Sequence, residues 1–230
     1  ALYTALFYVP FNMIQVQGYT ATAAGAAFLP VTVLLIVLSR WAGGLSERIG
    51  PRLLLTVGPL LAALGMALFA APGVGGSYWT TFFPPAVILG LGMGLLVAPL
   101  TSTVLGSVRR EHTGVASGVN NTASRVGGLV AIAALGILLT QTFAARLDER
   151  LAAVDAPAEA KEAVAAQWRD LAAAQPPEDL PEETRAALQG AIAESYVDGF
   201  RLAMLVCGAL GLLAALAAWV LVEGRSTPAE

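Results

Sequence analysis

Residues 43–52 read GGLSERIGPR: one acid, two arginines, one proline and three glycines, set between two long apolar runs. Two readings fit so polar a segment in so apolar a chain. It is a solvated turn where the chain leaves a membrane, or it is a charged moving part between helices. The rest of the chain decides that a membrane is involved. The 230 residues are 57% hydrophobic and 13% charged, with a mean hydropathy of +0.70; a soluble domain carries roughly 25% charged residues. Residues 1–39 and 53–108 hold no charge at all, whereas 144–197 holds eleven acids and five bases. The composition predicts an all-α membrane protein with one sizeable polar insert. The net charge of −3 comes from that insert, so no basic patch points to nucleic acid.

A bilayer core needs about 20 apolar residues of helix. Six runs are expected to cross: 1–16, 21–39, 53–72, 82–105, 114–143 and 199–222. None alternates as a barrel strand does, and lipid tolerates no open sheet edge, so all six are expected to be helices. The first run opens at Ala1 with neither Met nor a basic leader, which predicts a fragment whose first span is cut short. Arg40, Arg48 and Arg52 flank one connection, Arg109 and Arg110 another, and Arg225 lies in the tail. The connections at 17–20 and 73–81 carry no base. If the spans alternate, all six arginines share one side, and that side is expected to be the cytoplasm. The expected organisation is five spans in 1–143, an extracytoplasmic loop over 144–197, a last span over 198–222 and a cytoplasmic tail over 223–230. Such a chain is expected to lie, multi-pass, in a bacterial cytoplasmic (inner) membrane. Within the loop, APAEAKEAVAAQWRDLAAA (156–174) and PEETRAALQGAIAES (181–195) pattern as surface helices behind prolines. They read as a solvated cap or as a partner-binding surface.

Little in the chain suggests an enzyme. Cys207, His112 and Lys161 are the only residues of their types. They allow no disulfide framework, no multi-histidine metal site and no P-loop. The spans hold no paired Asp, no HExxH and no Ser–His couple, so neither a metal nor a cofactor is expected. GLGMG at 90–94 imitates part of a dinucleotide fingerprint, with Glu111 about 20 residues on, but that fingerprint needs a strand before its helix. Inside an apolar run, Gly90 and Gly94 read as helix-packing positions; Gly118, Gly127 and Gly128 read the same way.

Polar residues inside spans mark a bundle interior or a wet cavity. Tyr8, Asn12 and Gln15 stand at i, i+4 and i+7, one helix face. They either line a cavity or bond neighbouring helices. On the fifth run Asn121 and Arg125 share a face, with Asn120 and Ser124 beside it, and these are candidates for a second polar wall. Arg125 lies eleven residues past Gly114, roughly 16 Å along a helix. It either reaches a wet cavity or snorkels to the surface. No Asp or Glu occurs in any span before Asp198, at the edge of the last.

Three stretches together resemble the major facilitator superfamily, in particular its fourteen-span drug–proton antiporter branch of EmrB/QacA type. The first is QVQGYTATAAGAAFLP (15–30), with Gln15, Gly18, Tyr19, Gly25 and Pro30. The second is the decamer, whose Gly43, Leu45, Glu47, Arg48, Gly50 and Arg52 fall in register with the superfamily's cytoplasmic loop motif. The third is GLGMGLLVAP (90–99) followed by GVASGVNNTASRVGGLVAIAALG (114–136). The likeness covers essentially the whole chain. It implies the C-terminal six-span half of a major facilitator fold, working by alternating access as a proton-driven exporter of drugs or similar molecules. Implied partners are the lipid bilayer, a small hydrophobic or amphiphilic substrate, protons and a missing N-terminal half that carries the coupling carboxylates. It also implies that Gly43, Glu47, Arg48, Gly50 and Arg52 form a charged clasp that holds and releases helices on the cytoplasmic side. Glu47 stands where the family more often has Asp, and Pro51 where a base is common. A non-transporting six-span channel subunit or assembly protein remains the alternative.

Overall fold

The computed structural model describes residues 2–222; Arg225 and the expected tail lie outside the described residues. Nine α-helices follow one another: α1 (Leu2–Gln15), α2 (Ala21–Ala26), α3 (Leu29–Ile49), α4 (Pro51–Phe69), α5 (Tyr78–Thr81), α6 (Phe83–Gly106), α7 (Thr113–Ala153), α8 (Ala158–Ala165) and α9 (Glu182–Leu221). No strand occurs among the described residues. The chain is an all-α, multi-pass membrane protein.

The number of long helices differs from six. Among the described residues five segments are long and apolar enough to cross a bilayer, with α2 and α3 counted as one. At 14 residues, α1 is about 21 Å long, short of a hydrocarbon core of about 30 Å. The second run breaks at Ala27–Phe28. The Thr20 hydroxyl caps α2 by accepting from the Ala23 amide at 3.2 Å, and α3 starts afresh with Pro30 in its first turn.

The decamer is not a loop. Residues 43–49 form the last two turns of α3, and the reversal is confined to Gly50, at φ +86° and ψ 151°. A glycine suits that left-handed φ because it has no Cβ to clash. Its amide donates to the Ser46 carbonyl at 2.9 Å, and Pro51 begins α4 where a missing N–H goes unneeded.

Helices α7 and α9, of 41 and 40 residues, are each about 60 Å long, twice the hydrocarbon thickness. Helix α7 runs on past residue 143, and α9 begins at Glu182, well ahead of its apolar run. About half of the polar segment 144–197 thus consists of two helical extensions, with α8 and a single 3₁₀ turn at Leu171–Ala173 between them. Leu135, Leu139, Phe143, Leu147 and Leu151 are buried at steps of four along α7. That stripe carries one apolar seam across the expected membrane boundary, against α9.

Packing links the helices in the order α3–α6–α4–α9–α7, with α1 against α7 and α9. The glycines of α6 set two of these contacts. A Cβ at Gly92 would sit 2.5 Å from the Ala62 nitrogen on α4, and one at Gly90 would sit 2.9 Å from the Val31 Cα on α3. In lipid, where apolar surface gains little by pairing with apolar surface, such backbone approach is what binds helices together. At the α5 end of the bundle the Gln17 amide donates to the Gly73 carbonyl at 2.8 Å and accepts from the Gly75 amide at 2.7 Å. The Tyr78 phenol donates to the Ala27 carbonyl at 3.0 Å. Burial, with a lesser contribution from Tyr19, holds that phenol above its usual pKa and keeps it a donor.

Candidate functional site

The candidate polar residues separate into a buried group and an exposed group. Tyr8 and Asn12 are buried at the inner side of α1, whereas Gln15, its last helical residue, is exposed. The Asn12 carbonyl oxygen accepts weakly from the Gln17 amide at 3.4 Å. The Tyr8 hydroxyl lies where a Cβ on Gly136 would come within 2.6 Å, so it fills a notch in α7. Tyr8 also accepts, through its backbone carbonyl, a long 3.5 Å bond from the Tyr196 hydroxyl on α9. Tyr8 thus packs against α7 and α9, while the buried Asn12 bonds to Gln17 just past the end of its own helix.

The exposed group lies on α7. Between Thr113 and Ala134 only Gly128 is buried, although this stretch is largely apolar. Asn121, Ser124 and Arg125 are exposed and Asn120 is half-buried. The Arg125 Nε donates to the Asn121 side-chain oxygen at 3.3 Å, and the Ser124 hydroxyl folds back on the Asn120 carbonyl at 2.8 Å. Beside them Tyr3, Arg125, Gly128, Leu129 and Ile132 line a groove of about 340 Å³. Gly128 takes the ring of Tyr3 at a distance that any Cβ would block. Gly118 and Gly127 were expected to pack helices as well, but a Cβ at either would meet nothing within 4 Å. Among the described residues no neighbour comes within Cβ reach of those two glycines.

The decamer likewise points outward. Glu47 and Arg48 are exposed, Gly43 is half-buried and Gly50 is buried. Gly43 and Gly44 have no neighbour within Cβ reach among the described residues. No ion pair joins Glu47 to Arg48 or Arg52 among the described residues. Arg40, Trp41 and Arg48 instead line an open groove of about 770 Å³ on the outer face of α3. Arg52 turns the other way and stacks on Trp219 of α9, its guanidinium carbon 4.1 Å from the ring centroid.

One charged cluster is closed. Asp198, with 26% of its side chain exposed, accepts from Arg150 at 2.8 Å and lies 3.6 Å from Arg201 and 3.9 Å from Arg146. Arg150 also reaches Glu194 and the Ser195 hydroxyl. Arg201 donates to the Ala70 carbonyl at 2.8 Å, just past the last turn of α4. This hub fastens the extended pair α7–α9 to α4. Its members are up to 131 residues apart, and no local motif in the sequence announces it.

Long apolar helices joined by glycine-mediated contacts describe a multi-pass helical membrane protein, and comparison with known proteins names its family. Residues 1–132 match the Major Facilitator Superfamily. Over 93% of its length the chain is 30% identical to a tetracenomycin C resistance and export protein of Streptomyces glaucescens, of which it spans 40%. It is 27% identical, over its full length, to a puromycin resistance protein of Streptomyces alboniger, of which it spans 39%. A multidrug resistance protein of Mycobacterium tuberculosis is 26% identical over 66% of the chain, which spans 28% of that protein. The chain therefore covers well under half the length of these curated relatives. It belongs to the major facilitator superfamily.

Proposed function

We propose that this chain is the C-terminal six-span half of a proton-driven exporter of small hydrophobic or amphiphilic molecules, working by alternating access. The carrying observation is the stretch Thr113–Ala134 of α7, a helical wall that the described residues leave largely exposed, with Asn121, Ser124 and Arg125 in the open. A second six-helix repeat packed opposite would enclose that wall, with substrate held near the midplane between the repeats. The relatives support both parts of the reading. They are more than twice as long as this chain, and their names are those of resistance and export proteins. Arg125 then bonds carbonyls or a carboxylate of the other repeat, and the proton-coupling carboxylates lie in that repeat. The decamer acts as a clasp. Glu47 and Arg48 have no ion-pair partner among the described residues, and in this reading their partners belong to the opposing half. The arginine-bearing connections face the cytoplasm and the 144–197 segment faces outside.

The test is substrate protection in the full-length protein. With Cys207→Ala as background, Asn121→Cys should react with a water-soluble thiol reagent, and a transported dye should slow that reaction. Leu139→Cys, at a fully buried position, should stay unreactive. A cysteine at 121 that labels at the same rate with and without dye removes α7 from the pathway.

A further inference from the structure

Arg52 is not explained by the clasp. It sits in the first turn of α4 and leans over Trp219 in the last turn of α9, so the pair marks one end of the bundle. Its Nε is shielded from water, yet no atom accepts from it, and the guanidinium forms no ion pair among the described residues. The Nε therefore has donor capacity that neither water nor a described residue uses, and an acceptor that reaches it gains a hydrogen bond. Trp219 is half exposed. Around it Leu212, Leu216, Val220 and Leu221 on α9, with Leu53 and Leu60 on α4, are exposed apolar side chains. In a membrane protein such ridges face hydrocarbon. Tryptophan and arginine at their ends sit at headgroup depth.

We propose that Arg52 and Trp219 form a headgroup site for an anionic phospholipid. The lipid phosphate accepts from the guanidinium, whose face the indole holds, and the acyl chains lie along the α4 and α9 ridges. A planar fork of donors suits phosphate oxygens, and the aromatic stack fixes the plane of that fork. A cationic crevice between helix ends next to lipid is the expected setting for such a headgroup. None of the polar residues of α7 takes part, and Arg52 is the one member the site shares with the decamer.

Thermal unfolding of the full-length protein in a neutral detergent tests this, with phosphatidylglycerol, phosphatidylcholine of the same chains or inorganic phosphate added. Phosphatidylglycerol should raise the wild-type midpoint by several degrees more than phosphatidylcholine, and inorganic phosphate should not. Arg52→Gln should lose that difference, and Trp219→Leu should lose most of it. Native mass spectrometry, counting phosphatidylglycerol retained by folded Trp219→Leu against wild type, keeps the test open if Arg52→Gln fails to fold; fewer lipids on the variant support the site. An equal phosphatidylglycerol shift in wild type and Arg52→Gln overturns the proposal. So does equal protection by inorganic phosphate, which means a small-anion site. A lipid effect that appears only in Glu223→Gln also overturns it, because the chain's own carboxylate then fills the crevice.

Discussion

Replacing Gly92 with alanine adds one methyl group where, among the described glycines, a Cβ would come nearest to another helix's backbone. Its carbon would stand 2.5 Å from the Ala62 nitrogen and 2.6 Å from the Gly58 oxygen, both backbone atoms that no rotamer change can move. Restoring 3.4 Å, the lower edge of ordinary contact, requires α4 and α6 to part locally by roughly 0.9 Å. A gap of roughly 0.5–1 Å forfeits about a quarter to a half of each dispersion well along the seam. Overpacking of this kind costs about 1–3 kcal/mol, partly offset by about 1 kcal/mol for the better helix propensity of alanine. Gly190→Ala separates the two effects, because Gly190 lies exposed in α9 with nothing within 4 Å of its Cβ position. That variant should gain up to about 1 kcal/mol. Thermal unfolding of the full-length protein in one detergent, each variant against wild type, reads both. The expectation is a lower midpoint for Gly92→Ala and an equal or higher one for Gly190→Ala. If Gly92→Ala melts at or above wild type while Gly190→Ala behaves as expected, the close α4–α6 contact is not what holds this bundle together.

Asp198→Asn keeps the shape of the hub but removes the charge that faces Arg150, Arg146 and Arg201. It should cost about 1–3 kcal/mol, read in the same unfolding assay, and no loss would show the hub to be ornamental. Arg125→Lys in the full-length protein keeps the charge and loses the planar fork. It should insert normally yet transport poorly at matched expression, and wild-type transport would make Arg125 a snorkelling residue. For sidedness, a cysteine at Glu178 should label with an impermeant reagent on intact cells and one at Ser107 should not; both positions are exposed. The reverse pattern would invert the proposed topology.

What the sequence made legible follows from the membrane. Lipid leaves a long apolar run no choice but a helix, so the long helices appear where hydropathy puts them. Gly90 and Gly94 were readable as packing positions for the same reason, since a glycine in hydrocarbon has little else to do. Their neighbours were not, because which helix lies opposite is a tertiary fact. The ends of α7 were readable in principle. Leu135, Leu139, Phe143, Leu147 and Leu151 keep a four-residue step straight through residue 143, whereas charge density alone suggested a boundary there. Tyr8 and Asn12 show where pattern stops short. A polar helix face says that something polar or close-fitting lies opposite, and the period does not say that for Tyr8 it is a notch in α7. Arg150 with Asp198, and Arg52 with Trp219, are 48 and 167 positions apart; no period or spacing rule connects residues so distant.

The central claim is that this chain is half of a proton-driven exporter, and transport in inside-out vesicles tests it most directly. Vesicles bearing the full-length protein, with an acid lumen, should accumulate a lipophilic cationic dye, and a protonophore should abolish the uptake. Vesicles bearing residues 1–230 alone should take up none above background. Dye uptake by the full-length protein that persists unchanged after the proton gradient is collapsed, or uptake by residues 1–230 alone, would contradict the account.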